Sequence, residues 1–180
     1  MAASGLDPST IFPFPLDDFQ LEAIDALDQG HSVVVSAPTG SGKTLVGEYA
    51  IHRALAHGQK VFYTTPLKAL SNQKLRDFRE AYGDDNVGLM TGDLSVNREA
   101  SIVVMTTEIF RNMLYAEASE HDDPLADVEA VVLDECHYMN DSQRGTVWEE
   151  SILHCPPSVQ LVALSAPVAN AGQLPDRTEK

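Results

Sequence analysis

Five continuous apolar runs, Val33-Val34-Val35, Val61-Phe62-Tyr63, Ile102-Val103-Val104-Met105, Val131-Val132-Leu133 and Leu161-Val162-Ala163-Leu164, alternate with longer stretches of helical spacing. Strands that are apolar at every position must be covered on both faces. The alternation therefore predicts an α/β fold, a three-layer sandwich with a mainly parallel sheet between two layers of helices. A weaker run, Val87-Gly88-Leu89-Met90, is expected at an edge of that sheet. Each run ends in polar or small residues: Thr64-Thr65-Pro66, Thr91-Gly92-Asp93, Thr106-Thr107-Glu108, Asp134-Glu135-Cys136-His137 and Ser165-Ala166-Pro167. In an open parallel sheet, ligands bind in the crevice beyond the carboxyl ends of the strands. These clusters all fall at that rim.

The first run leads into Ala37-Pro38-Thr39-Gly40-Ser41-Gly42-Lys43-Thr44, and a helical segment follows. A strand, a Gly-rich loop and a helix form a phosphate cradle, because loop amides and the open N–H groups of the helix start converge on an anion. Gly40 and Gly42 let the chain turn tightly and lie close to phosphate oxygens. Lys43 supplies a full charge for the outer phosphates, and the Thr44 hydroxyl suits the shell of a magnesium ion. Ala37 stands where the usual string has its first Gly. A bland Gly/Ser loop is the alternative, and it does not account for the strand before and the helix after.

The 180 residues are enough for one domain with a sizeable core, and the 43% apolar content is ordinary for a soluble globular chain. The formal charge of −15 argues against a broad basic footprint, so any nucleic-acid contact must be local. Cys136 and Cys155 are too few for a disulfide framework. The opening residues lack a signal-peptide pattern and no stretch has the length of a membrane span, which together predict a cytoplasmic protein with no membrane partner. Residues 1–15 read as a Pro-rich extended lead-in, residues 16–173 as the domain and residues 174–180 as a divergent tail.

Paired carboxylates close the Val131 run. Asp134 suits a magnesium ion, held directly or through water, and Glu135 suits a base that deprotonates an attacking water. An acidic turn is the alternative. His137 and Cys136 with His154 and Cys155 raise a zinc reading, which their arrangement as two adjacent pairs argues against. Phe14 and Phe19 could stack on a base and Gln20 could read its edge, with a core role for Phe19 as the alternative. Lys68, Lys74, Arg76 and Arg79 carry four of the chain's twelve Lys and Arg, and make either a phosphate-backbone patch or a solvated face.

Taken together, these strings resemble the first of two RecA-like domains of a superfamily 2 DExH-box helicase, most of all the superkiller-type RNA helicases that feed RNA to exosomes. The resemblance spans roughly residues 11–173. It rests on Phe14-Pro15-Leu16-Asp17-Asp18-Phe19-Gln20, the cradle with its Ala37, Thr65-Pro66-Leu67-Lys68-Ala69-Leu70-Ser71-Asn72-Gln73-Lys74, Thr91-Gly92-Asp93 and Thr106-Thr107-Glu108-Ile109-Phe110-Arg111-Asn112-Met113-Leu114. Most specific is Leu133-Asp134-Glu135-Cys136-His137-Tyr138-Met139-Asn140-Asp141, continued by Arg144-Gly145-Thr146-Val147-Trp148-Glu149-Glu150.

The resemblance implies a RecA-like P-loop NTPase domain using ATP and Mg2+. Phe14 would stack on adenine and Gln20 would recognise its edge. Thr39, Gly40, Ser41, Gly42, Lys43 and Thr44 would hold the phosphates, Thr44 and Asp134 the metal, and Glu135 would be the catalytic base. Single-stranded RNA would lie on Thr65, Pro66, Lys68, Thr91, Gly92, Thr106, Thr107 and Glu108. His137, Ser165 and Ala166 would couple the two sites. Implied partners are a second RecA-like domain or an exosome-type nuclease. Pro167 departs from the family's Ser-Ala-Thr, removing a hydroxyl and an N–H donor. The likeness ends before a second domain, so hydrolysis by this chain alone is expected to be very slow, and a nucleotide- or RNA-binding module without turnover is the alternative function. A small P-loop kinase or GTPase would need an acceptor site or an Asn-Lys-x-Asp string, and the chain has neither.

Overall fold

All of the apolar runs form strands of one sheet. The computed structural model describes residues 12, 15–37, 42, 44–116, 125, 127–134 and 158–165. Its strands are β1 (Val33–Ser36), β2 (Lys60–Thr65), β3 (Val87–Met90), β4 (Ser95–Val96), β5 (Ile102–Thr106), β6 (Val128–Leu133) and β7 (Gln160–Ser165), and its helices α1 (Asp18–Asp28), α2 (Thr44–Ala56), α3 (Lys68–Tyr82) and α4 (Thr107–Ala116). The strand order is β1-β7-β6-β2-β5-β3-β4. Every pairing is parallel except the antiparallel β3–β4 ribbon.

One expectation is corrected here. β3 is not at the edge, because Leu89 and Met90 pair with Val96 and Ser95 of β4, which lies outside it. A two-residue strand is too short to leave a periodic signal in the sequence. Gly88 permits the ribbon to close on itself, since a Cβ there would stand 2.0 Å from the Asn97 carbonyl oxygen.

Alternate side chains divide the core between the two faces. Val61 and Tyr63 of β2 join α1, α2 and α3 on one face, while Phe62 joins Phe110 of α4 and Leu125 on the other. α2 lies close on the sheet because Gly47 faces it: a Cβ would sit 3.2 to 3.4 Å from Val132, Leu164 and Tyr63. α1 begins at Asp17, whose backbone N–H donates to Gln20 Oε1 at 2.7 Å, and turns away after Asp28 through Gly30 at φ 89°.

The amino ends of the strands are tied by a charged cluster. Arg53, near the end of α2, contacts Asp28 of α1 (Nε to Oδ1, 3.2 Å), Glu129 of β6 (Nη1 to Oε2, 2.8 Å) and Gln160 of β7 (Nη1 to Oε1, 2.8 Å). Tyr49 Oη donates to Asp28 at 2.8 Å, and His57 Nδ1 lies 2.7 Å from Glu129. One forked guanidinium thus joins two helices to two strands, a geometry that an ammonium cannot reproduce. Among the described residues, no helix is long and apolar enough to cross a membrane.

Arg53→Ala leaves Asp28 and Glu129 without their shared cation and is expected to cost roughly 2–4 kcal/mol, read as a lower urea midpoint at constant slope. Arg53→Lys should restore only part of that loss. Gly88→Ala is expected to cost roughly 1–3 kcal/mol by pushing β3 from β4. Gly92→Ala, with open space around it, should unfold like the parent. Equal midpoints for the two glycine variants would contradict the close approach at Gly88.

Candidate functional site

The carboxyl ends of the strands bring the described residues of the predicted clusters to one rim. Ser36 is in register with Ser165, Thr65 with Thr106, and Leu133 with Ala163. The cradle therefore leaves the sheet one strand away from β7 and two from β6, roughly 10 Å from the end of β6 across the strand spacing. Ala37 N–H donates to the Ser165 carbonyl at 3.0 Å, carrying the β1–β7 ladder one residue into the cradle.

Gly42 has φ 91°, the left-handed region in which a side chain is strained. Its carbonyl accepts from Leu45 N–H at 3.1 Å and from Gln20 Nε2 at 2.9 Å. A Cβ at Gly42 would meet Gln20 Nε2 at 2.6 Å. Gln20 is only 5% exposed, and its amide spans from the N-terminus of α1 to the cradle. Packing thus ties α1 to the loop before any ligand is considered. Thr44 is the first residue of α2, and Gly47, one turn further on, rests on Val132 of β6. The start of α2 is thereby carried over the β6 end of the rim.

Asp134 follows β6 and is 2% exposed. Its N–H donates to the Thr64 carbonyl at 2.9 Å, so the residue is held by the β2–β6 ladder. On its side chain, Tyr63 Oη donates to Oδ2 at 2.5 Å and Lys74 Nζ lies 3.9 Å from the same oxygen. Lys74 also stands over the rings of Tyr63 (5.5 Å) and Phe78 (5.8 Å), which meet edge to face. Oδ1 has no hydrogen bond among the described residues. A buried carboxylate with one oxygen held and the other unengaged fits a hard divalent cation that keeps several waters.

Sequence reasoning missed Tyr63 and left Lys74 between a phosphate-backbone patch and a solvated face. Both omissions have the same origin, since Tyr63 lies inside an apolar run and Lys74 inside a cationic helix. Glu48 was missed as well, although it stands one turn after Thr44 on the same face of α2. Burial raises its pKa, and the Lys74 charge offsets part of that rise. Burial and then the Glu48 charge push the Tyr82 hydroxyl well above the usual tyrosine range, and burial lowers His52, whose Nε2 is 3.4 Å from Tyr82 Oη.

The cations of α3, open to a phosphate-backbone patch or a solvated face from the sequence, do not share one environment. Lys74 turns to Asp134, Arg79 donates to the Val87 carbonyl at 3.3 Å, Lys68 pairs with Asp93, and Arg76 remains exposed. Among the remaining rim residues, Thr65 is fully buried, its Oγ1 donating to the Leu67 carbonyl at 2.9 Å with Ser71 Oγ 2.8 Å away. Thr91 N–H donates to the Leu94 carbonyl at 2.8 Å and closes the β3–β4 turn. Thr107 is 3% exposed, and its hydroxyl has no hydrogen bond among the described residues. Gly92, Lys68 and Glu108 are exposed, while Pro66 and Thr106 are half-buried. Phe14, Thr39, Gly40, Ser41, Lys43, Glu135, His137 and Ala166 lie outside the described residues, as do Pro167 and the cysteine and histidine pairs considered for zinc. Among the described residues, no cluster of His, Cys, Asp and Glu could hold a metal by itself.

The family profile described as DEAD/DEAH box helicase matches residues 17–174. The chain belongs to the DEAD/DEAH box helicase family. It is 58% identical over 167 residues to the chloroplastic DExH-box ATP-dependent RNA helicase DExH15 of Arabidopsis thaliana, covering 92% of this chain and 14% of that protein. It is 52% identical over 164 residues to the antiviral helicase SKI2 of Saccharomyces cerevisiae, covering 91% and 12%. With the exosome RNA helicase MTR4 of Mus musculus, identity is 52% over 162 residues, covering 90% and 15%. This helicase-family chain thus spans between 12% and 15% of the length of these relatives. Among solved structures it is similar to the Mycobacterium smegmatis helicase Lhr bound to ssDNA and AMP-PNP, at a TM-score of 0.63 and 27% identity, covering 89% of this chain and 24% of that one. The superkiller-type resemblance and the RecA-like fold are both borne out.

Gln20→Ala removes the acceptor for Asp17 N–H and the donor to the Gly42 carbonyl. A loss of roughly 1–2 kcal/mol is expected in urea unfolding without any nucleotide present. An unchanged midpoint would mean that the α1-to-cradle contact contributes nothing to the folded state.

Proposed function

We propose that this chain is the ATP-binding domain of a DExH-box RNA helicase, coupling ATP hydrolysis to movement along single-stranded RNA. The observation that carries the reading is the rim itself: a glycine at positive φ tied to Gln20, the start of α2, and a buried, half-engaged carboxylate at Asp134 all lie at the carboxyl ends of β1 and β6. That arrangement suits a triphosphate and its metal.

In this reading Phe14 stacks on adenine and Gln20 holds its edge. Thr39, Gly40, Ser41, Gly42 and Lys43 bind phosphates, and Thr44 and Asp134 hold Mg2+, which would stabilise charge on the outer phosphates. Glu135 takes the proton of the attacking water. RNA lies across Thr65, Pro66, Lys68, Thr91, Gly92, Thr106, Thr107 and Glu108. Because Thr65 and Thr107 are buried, those contacts fall to backbone amides and to exposed neighbours such as Lys68. His137, Ser165 and Ala166 pass the state of one site to the other. A second RecA-like domain completes the RNA clamp and supplies arginine fingers, worth about 10³ to 10⁵ in rate. The name of the exosome RNA helicase MTR4 suggests an exosome-type nuclease as a partner of the whole protein. A cytoplasmic location fits this reading.

Lys43→Ala is expected to weaken binding of a fluorescent ATP analogue by about 10- to 100-fold, the loss of a charged contact to phosphate. Glu135→Gln should bind like the parent while its slow turnover disappears. Unchanged affinity in Lys43→Ala would overturn the cradle assignment. Hydrolysis strongly stimulated by RNA in the 180-residue chain would overturn the need for a second domain.

A further inference from the structure

We propose that Tyr63 and Lys74 are positioning residues that hold Asp134 for its metal, so that Lys74 serves the nucleotide site and not an RNA-binding patch. The inference rests on the reading of Asp134 as the magnesium carboxylate. Both groups act on one oxygen. Tyr63 Oη donates to Oδ2 at 2.5 Å, and the Lys74 ammonium lies 3.9 Å from it, near enough for charge attraction and too far for a direct hydrogen bond. Oδ1, with no hydrogen bond among the described residues, is the oxygen left for a cation.

The supports are themselves fixed. Tyr63 is fully buried on β2, packed edge to face on Phe78 at 4.9 Å. Lys74 is braced over both rings at 5.5 and 5.8 Å, so its stem is held by the aromatic pair while its charge faces the carboxylate. A carboxylate this deeply buried pays a desolvation cost as an anion, and a donor and a cation on the same oxygen offset it. Without them Asp134 could turn, and the metal would lose a ligand of defined direction. Partners behind a ligand oxygen typically change metal affinity by about 10- to 100-fold when removed.

The test uses the full 180-residue chain and a fluorescent ADP analogue titrated with excess Mg2+ and again with a chelator, so that the readout is the ratio of the two affinities. For the parent, Mg2+ is expected to tighten binding. In Tyr63→Phe and Lys74→Met that ratio should fall about tenfold, whereas Lys74→Arg, which keeps a cation over the rings, should recover most of it. Circular dichroism checks folding, and Tyr63→Phe, which loses one oxygen and no packing, decides the matter if Lys74→Met does not fold. A parent that gains from Mg2+ alongside variants that gain as much overturns this inference alone. A parent that binds equally with and without Mg2+ overturns the reading of Asp134 on which it rests.

Discussion

Parallel pairing is the constraint on which everything else in this molecule depends. Five of the six strand pairings run the same way, so the connections between parallel strands must cross back over a face of the sheet. The return segments bury that face, and the strand ends then accumulate on one rim. Residues as distant in sequence as Gly42 and Asp134 come to the same rim, where β7 alone separates their strands. Gly47 sharpens the effect. By lacking a side chain it lets α2 descend onto Val132 and Leu164, which carries the helix start toward the carboxylate.

The two ends of the sheet divide the labour. At the amino ends, Arg53 gathers Asp28, Glu129 and Gln160 into a cluster with every charge opposed. At the carboxyl ends, two buried polar groups are incompletely engaged among the described residues: Asp134, held through Oδ2, and Thr107, whose hydroxyl has no hydrogen bond there. A satisfied cluster stabilises the fold. A half-satisfied one leaves capacity for a ligand, at some cost to stability.

Charge follows the same division. The chain carries a net charge of −15, and several cations among the described residues are committed: Arg53 to the amino-end cluster, Lys74 to Asp134 and Lys68 to Asp93. An acidic protein of this kind can meet a polyanion through amides, hydroxyls and turn backbone at the rim, without a broad basic face. Lys68 is notable because it ties the loop after β2 to the β3–β4 turn. Both segments belong to the surface proposed above for RNA.

The strands, the two-sided burial and the helix that starts at Thr44 were legible in the sequence, because a continuous apolar run and a Gly-rich stretch before a helix are local signals that need no partner to be read. Asp134 was legible for the same reason, as a carboxylate closing such a run. The partners were not. Nothing local marks Tyr63 as a donor to a residue more than seventy positions away, separates Lys74 from the other cations of α3, or reveals the short β4 that displaces β3 from the edge. Composition, spacing and turn chemistry determined which elements form and which reactive side chains stand at their ends. The packing of helices on the sheet decided which of those residues share an oxygen, since hydrogen bonds and ion pairs depend on distances across the sheet that the chain's order does not encode locally.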